Sequence, residues 1–164
     1  MKIKFIVLLP IFLTFCFAAK AQFKEPFADV PTVSYCGLIE NAEKYDQQFV
    51  RVTATYFSAF EGSLLFDDSC ENRGVSWAHF VSAYEKNTNS FLLKRFRQLT
   101  KGSIQSKPRE VLLSVVAKFD GKRKISTLKV KDRTFTFSVG FGHDDAFDYQ
   151  LTVLKIEEVR KLKK

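Results

Sequence analysis

Catalytic signatures are what this sequence lacks most plainly. It has no HExxH helix, no pair of CxxC motifs and no EF-hand spacing, so the common metal-site patterns are missing. No Gly-x-Ser-x-Gly elbow exposes a serine; Ser63 follows Glu61-Gly62 without one. No Walker sequence cradles a phosphate, and Gly140-x-Gly142 carries Asp145 where a dinucleotide loop would have its third glycine. Internal repeats and low-complexity stretches are absent, which removes solenoids and disordered tracts from consideration. The longest apolar run, Phe5 to Phe17, is interrupted by Pro10 and Thr14 and is short for a membrane span.

That run has a different reading. Lys2 and Lys4 precede it, and Ala19-Lys20-Ala21 follows it as an A-x-A cleavage site ahead of Gln22. This is the grammar of a secretory signal peptide, so residues 1–21 are expected to be removed and the mature protein to be exported, to the periplasm or beyond, with no transmembrane span left. A lipoprotein is the alternative, with Leu13-Thr14-Phe15-Cys16 as a lipobox and Cys16 as the anchor. Phe15 stands where such signals carry a small residue.

Cleavage reduces 164 residues to 143, enough for one domain with a substantial core. It also removes Lys2, Lys4 and Lys20, so 26 basic side chains become 23 against 18 acidic ones, and the net charge falls from +8 to +5. A charge of that size favours anionic surfaces without being a nucleic-acid signature. Of three cysteines, Cys36 and Cys70 remain, and in an oxidising compartment such a pair reads as a disulfide.

The rest of the chain alternates between two periods. Residues 22–33, with Pro26 and Pro31, form a lead-in segment. Ser34 is the N-cap of a short helix whose apolar stripe is Tyr35, Leu38, Ile39 and Ala42, ending near Tyr45-Asp46. Val50, Val52, Ala54 and Tyr56 alternate with polar residues as a one-sided strand. A turn at Glu61-Gly62-Ser63 leads to a strand over 64–67, and Val75 to Val81 forms a third.

A second helix starts at Asn89 or Ser90, with Leu92, Phe96 and Leu99 inward and Lys94, Arg95 and Arg97 outward. Val111 to Phe119 is apolar enough for burial on both faces. Phe135, Phe137, Val139 and Phe141 alternate as a strand, and one-sided aromatics of this kind are read as core. Gln150 to Ile156 is the last strand, and Glu157 to Lys164 is a charged, helix-compatible tail. Three strands, a helix and two closing strands match a partly open five-stranded barrel of the OB type, mainly β with two short helices. Residues 34–164 form this single domain, with 122–139 as an elaborated connection between its last two strands.

The stretch from Val33-Ser-Tyr-Cys-Gly-Leu through Asn41-Ala-Glu-Lys-Tyr45, followed by Phe49-Val-Arg-Val-Thr-Ala-Thr-Tyr56, resembles the opening of small exported bacterial OB-like proteins. These commonly run Cys-x-Leu, Asn-Pro-x-x-Tyr, then Val-x-Val-x-Gly. The chain departs at Ala42, where proline is usual, and at Ala54, where glycine is usual. Gly140-Phe-Gly-His143 is similar to the closing segment of that group. The resemblance implies the fold and brings no activity with it.

Two constellations carry functional expectations. Lys122, Arg123, Lys124, Lys129, Lys131 and Arg133, offset by Asp132, crowd the connection that in OB barrels borders the ligand face. Lys122, Arg123, Lys124, Lys129 and Lys131 are the candidates for gripping an anionic polymer or a membrane surface, whether glycan, lipid head group or nucleic acid. A solvated hairpin is the plain alternative. His143, Asp144 and Asp145, with Asp67 and Asp68 as further oxygen donors, form the alternative site of a metal-dependent hydrolase. A turn built on Gly140 and Gly142 is the simpler reading. The expected function is a non-catalytic binding module without a cofactor, with a structural envelope protein lacking a specific ligand as a third reading.

Overall fold

The computed structural model of the chain describes residues 25–59, 62–71, 74–101, 109–121, 126–130, 133–137, 140–142 and 145–162. Its elements are α1 (Tyr35–Glu40), α2 (Ala42–Tyr45), β1 (Phe49–Ala59), β2 (Gly62–Phe66), β3 (Ser76–Phe80), α3 (Ala83–Asn87), α4 (Ser90–Thr100), β4 (Arg109–Asp120), β5 (Ser126–Val130), β6 (Arg133–Phe137) and β7 (Tyr149–Lys161). Five strands close into a barrel in the order β1-β2-β3-β7-β4, with β4 paired back to β1. The β3–β7 pair is parallel and the others are antiparallel. This is the OB arrangement expected from the element order. The barrel is closed rather than partly open, and the described residues contain four short helices rather than two.

Local chemistry accounts for the helix boundaries. The Ser34 hydroxyl accepts from the Gly37 amide at 3.1 Å, satisfying one free donor at the start of α1. The first helix is not continuous to Tyr45. Asn41 leaves helical backbone at φ −114° and ψ 38°, splitting it into α1 and α2. Asn89 caps α4 by accepting from the Phe91 amide at 2.8 Å.

Alternation along the strands fills the barrel. Val50, Val52, Ala54 and Tyr56 of β1 point inward and are buried. So are Val111, Leu113, Val115, Ala117 and Phe119 of β4. Outward residues Leu112, Ser114 and Lys118 of β4 are only half-buried, so between Val111 and Phe119 burial on the outward face is confined to Val116. Val116 lies in register between Arg51 and Lys155.

The final strand runs to Lys161, which corrects the expectation of a helical tail from Glu157. Two register shifts against β4 leave Leu154 and Glu157 as extra residues on β7. The buried positions therefore become Leu151, Val153, Ile156 and Val159, a spacing that imitates a helical turn. The α3–α4 junction fastens the first of these bulges. Asn87 Nδ2 donates to the Leu154 carbonyl at 3.1 Å, and the Ile156 amide donates to Thr88 Oγ1 at 2.8 Å.

Helices stop both ends of the barrel. At one end, Phe96 of α4 lies 5.3 Å from the Tyr56 ring and 5.5 Å from Phe80. At the other, Tyr35 of α1 is buried, and its hydroxyl meets the Leu65 carbonyl at 2.7 Å, the Gly74 carbonyl at 3.0 Å and Ser76 Oγ at 2.7 Å. Burial pushes the Tyr35 phenol well above its ordinary range, with the bond to Ser76 opposing this. In the unfolded chain the phenol ionises near pH 10, so above that pH the unfolded state holds fewer protons than the folded one. Stability then falls as pH rises, until the folded phenol also titrates. Between about pH 10 and 11 the wild type should lose up to about 1.4 kcal/mol per pH unit more than Tyr35→Phe, measured by urea unfolding. Tyr84, also pushed up by burial, contributes equally to both proteins and cancels.

The lead-in segment lies against the barrel. Thr32 bridges to Arg51 in parallel, and the Arg51 guanidinium donates to the Val30 and Phe27 carbonyls at 2.8 and 3.0 Å. The same guanidinium forks onto Glu157 at 2.6 and 3.2 Å. Lys155 adds Glu25 to this cluster, and their hydrogen bond holds the Glu25 carboxyl below its usual value.

Candidate binding face

In OB barrels the outer face of the second and third strands, bordered by the connections after the first and fourth, is the common ligand surface. Here the β1–β2 connection shrinks to residues 60–61, while residues 121–148 join β4 to β7. Strand register puts Leu64, Trp77 and Gln150 in one row across β2, β3 and β7. His79, Thr152, Lys118 and Phe49 form the next, continuing over β4 and β1.

The end of the long connection returns onto this face. Phe141 and Phe147 exchange two backbone hydrogen bonds of 2.8 and 3.2 Å, closing a small loop. The Phe147 ring then lies 5.5 Å from Trp77. Glycines make the approach possible. A Cβ on Gly62 would fall 2.4 Å from Trp77 Cζ3, and one on Gly142 would fall 2.5 Å from Trp77 Cε3. Gly142 also has φ +75°, where a side chain is strained. Gly140 is required for space rather than conformation, since its Cβ would meet the Asp145 carbonyl at 2.0 Å. Trp77 thus anchors the connection to the barrel, a role no sequence period signals because it depends on three separate glycines and one lone tryptophan.

Beyond that anchor the face is open and mainly polar, with Phe49 half-exposed at its β1 edge. His79 is exposed, and among the described residues it has no hydrogen-bond or ion-pair partner. Gln150 Nε2 donates to Thr152 Oγ1 at 3.2 Å, and Lys118 is shared between Gln47 and Asp120. These groups offer hydrogen bonds and one cation.

The basic connection has its own structure. β5 and β6 form a two-stranded ribbon outside the barrel sheet, paired from Ser126↔Phe137 to Val130↔Arg133. Lys129 stands opposite Thr134 in that register. Lys122, Arg123, Lys124, Lys131 and Asp132 lie outside the described residues. The expected strand from Phe135 to Phe141 ends at Phe137, and Phe141 is buried in the loop that meets Trp77. Strand alternation groups all three phenylalanines, but only Phe135 and Phe137 belong to the ribbon.

Cys36 and Cys70 are joined, with Sγ atoms 2.14 Å apart, linking α1 to the β2–β3 loop. Asp67 approaches the same pair, and both sulfurs are committed to each other. Its carboxylate instead accepts from the Ser69 amide and hydroxyl at 2.9 and 2.7 Å, an ordinary turn. Of the hydrolase alternative, His143 and Asp144 lie outside the described residues, as does Cys16. Asp145 is exposed with φ 55°, a turn conformation. Comparison with protein-family models, curated proteins and solved structures returned no match.

Proposed function

We propose that the protein is an exported, non-catalytic binding module that holds an anionic polymer through the connection between β4 and β7. The observation that carries this reading is the elaboration of that one connection. It has a paired ribbon of its own, is pinned beside the β2–β3 face by Trp77, and contains Lys122, Arg123, Lys124, Lys129 and Lys131. Phosphate, sulfate or carboxylate groups spaced along a chain suit such a cluster. Export is supported by the signal-like residues 1–21 and by a disulfide of the kind oxidising compartments maintain. Among the described residues no helix is long and apolar enough to cross a membrane.

Titration of the mature protein with heparin and with single-stranded DNA tests this directly. Lys122→Ala/Arg123→Ala/Lys124→Ala should weaken binding by roughly tenfold or more at low salt, since each lost ion contact removes a counterion-release contribution. The thermal midpoint should stay within a few degrees of wild type. Unchanged affinity in the triple variant would overturn the assignment.

A further inference from the structure

A second cationic surface lies on α4, at the barrel end opposite α1. From Ser90 to Arg109 the sequence contains Lys94, Arg95, Arg97, Lys101, Lys107 and Arg109 and no acidic residue. The helix commits two of these cations locally. Arg95 Nε donates to the Val159 carbonyl at 3.0 Å, and Arg97 pairs with Glu85 at 2.6 Å. Lys94, and Lys101 at the C-cap, have no acidic partner among the described residues.

Helical spacing sets Phe91, Lys94, Gln98 and Lys101 along one stripe, opposite the buried Phe96. Phe91 is 68% exposed, the most exposed large apolar side chain among the described residues. Beside it runs a shallow groove of about 380 Å³ lined by Ser90, Leu93, Lys94, Arg97, Gln98 and Lys101. An exposed ring followed by lysines on one helical stripe is the pattern of an interfacial helix, with cations at the head groups and the aromatic at the acyl boundary.

We infer that the outer face of α4 docks on an anionic phospholipid surface. The lysines supply charge complementarity, and Phe91 favours lipid over a polyanionic glycan, which has no acyl layer for an exposed ring to enter. This surface is separate from the connection between β4 and β7, so the two assignments stand or fall independently.

Co-sedimentation of the mature protein with vesicles of equal parts phosphatidylglycerol and phosphatidylcholine provides the test, with phosphatidylcholine vesicles as control. Wild type should bind the anionic vesicles, lose them at high salt and ignore the neutral ones. Lys94→Gln/Lys101→Gln and Phe91→Ser should each weaken binding by roughly tenfold, while Lys122→Ala/Arg123→Ala/Lys124→Ala should change it by less than about threefold. All substituted positions on α4 are exposed, and matching circular dichroism would establish that the variants fold. Wild-type binding by both α4 variants, loss only in the connection variant, or equal binding to neutral vesicles would each overturn the inference. So would α4 variants that lose single-stranded DNA but keep vesicles, since the surface would then recognise a polymer.

Discussion

Replacing Cys36 and Cys70 together by alanine should lower the unfolding free energy by about 4 kcal/mol, read from urea denaturation. The two residues are 34 apart in sequence, and their link closes a loop containing α1, α2, β1 and β2. Without it the unfolded chain gains the entropy of that open loop, while the folded barrel keeps its strand pairing. The slope of the transition should rise, because an uncrosslinked chain exposes more surface. Reductant should have the same effect on wild type and none on the variant. Before reduction, thiol titration should find neither Cys36 nor Cys70 reactive. A loss below about 1 kcal/mol would mean that α1 is held by Tyr35 and its neighbours without the link.

The second large effect is expected at Phe119. Its ring is fully buried in the core and stacks on Tyr149 at 5.9 Å. Its backbone is fixed from both sides, donating to the Gln48 carbonyl at 2.9 Å and accepting from the Gln47 amide at 2.8 Å. Because the main chain is held, the barrel has little freedom to close over a missing ring. Phe119→Ala should therefore cost about 3–5 kcal/mol, near the full cavity penalty for a buried aromatic. Phe91→Ala, with the same atoms removed from an exposed position, should fall within about 0.5 kcal/mol of wild type. Similar costs at the two sites would contradict the placement of Phe119 in the core.

These contrasts also show where sequence pattern was sufficient. The inward face of β1, the cap at Ser34 and the Cys36–Cys70 link each depend on residues near in sequence or on chemistry with one simple solution. Strand order followed from the sequence of elements, because few small folds interleave three strands, a helix and two strands. The pattern misled where geometry changed the period. Bulges at Leu154 and Glu157 gave β7 a helix-like spacing, and Asn41 interrupted an apolar stripe that continues across it. Trp77 was unreadable for another reason. Its importance comes from Gly62 at the start of β2 and from Gly142 and Phe147 of the returning loop, two distant parts of the chain that converge on it. The stripe on α4 was partly legible, since its outward lysine and arginines were expected. The local commitment of Arg95 and Arg97, which leaves Lys94 and Lys101 unpaired by acids among the described residues, needed the structure.

The proposal that the β4–β7 connection holds an anionic polymer is tested most directly by the salt dependence of heparin binding, compared between wild type and Lys122→Ala/Arg123→Ala/Lys124→Ala. The logarithm of affinity should fall linearly with the logarithm of salt concentration, and the variant's slope should be shallower by roughly two to three ion contacts. Parallel lines with equal intercepts would show that these cations do not touch the polymer and would contradict the proposed function.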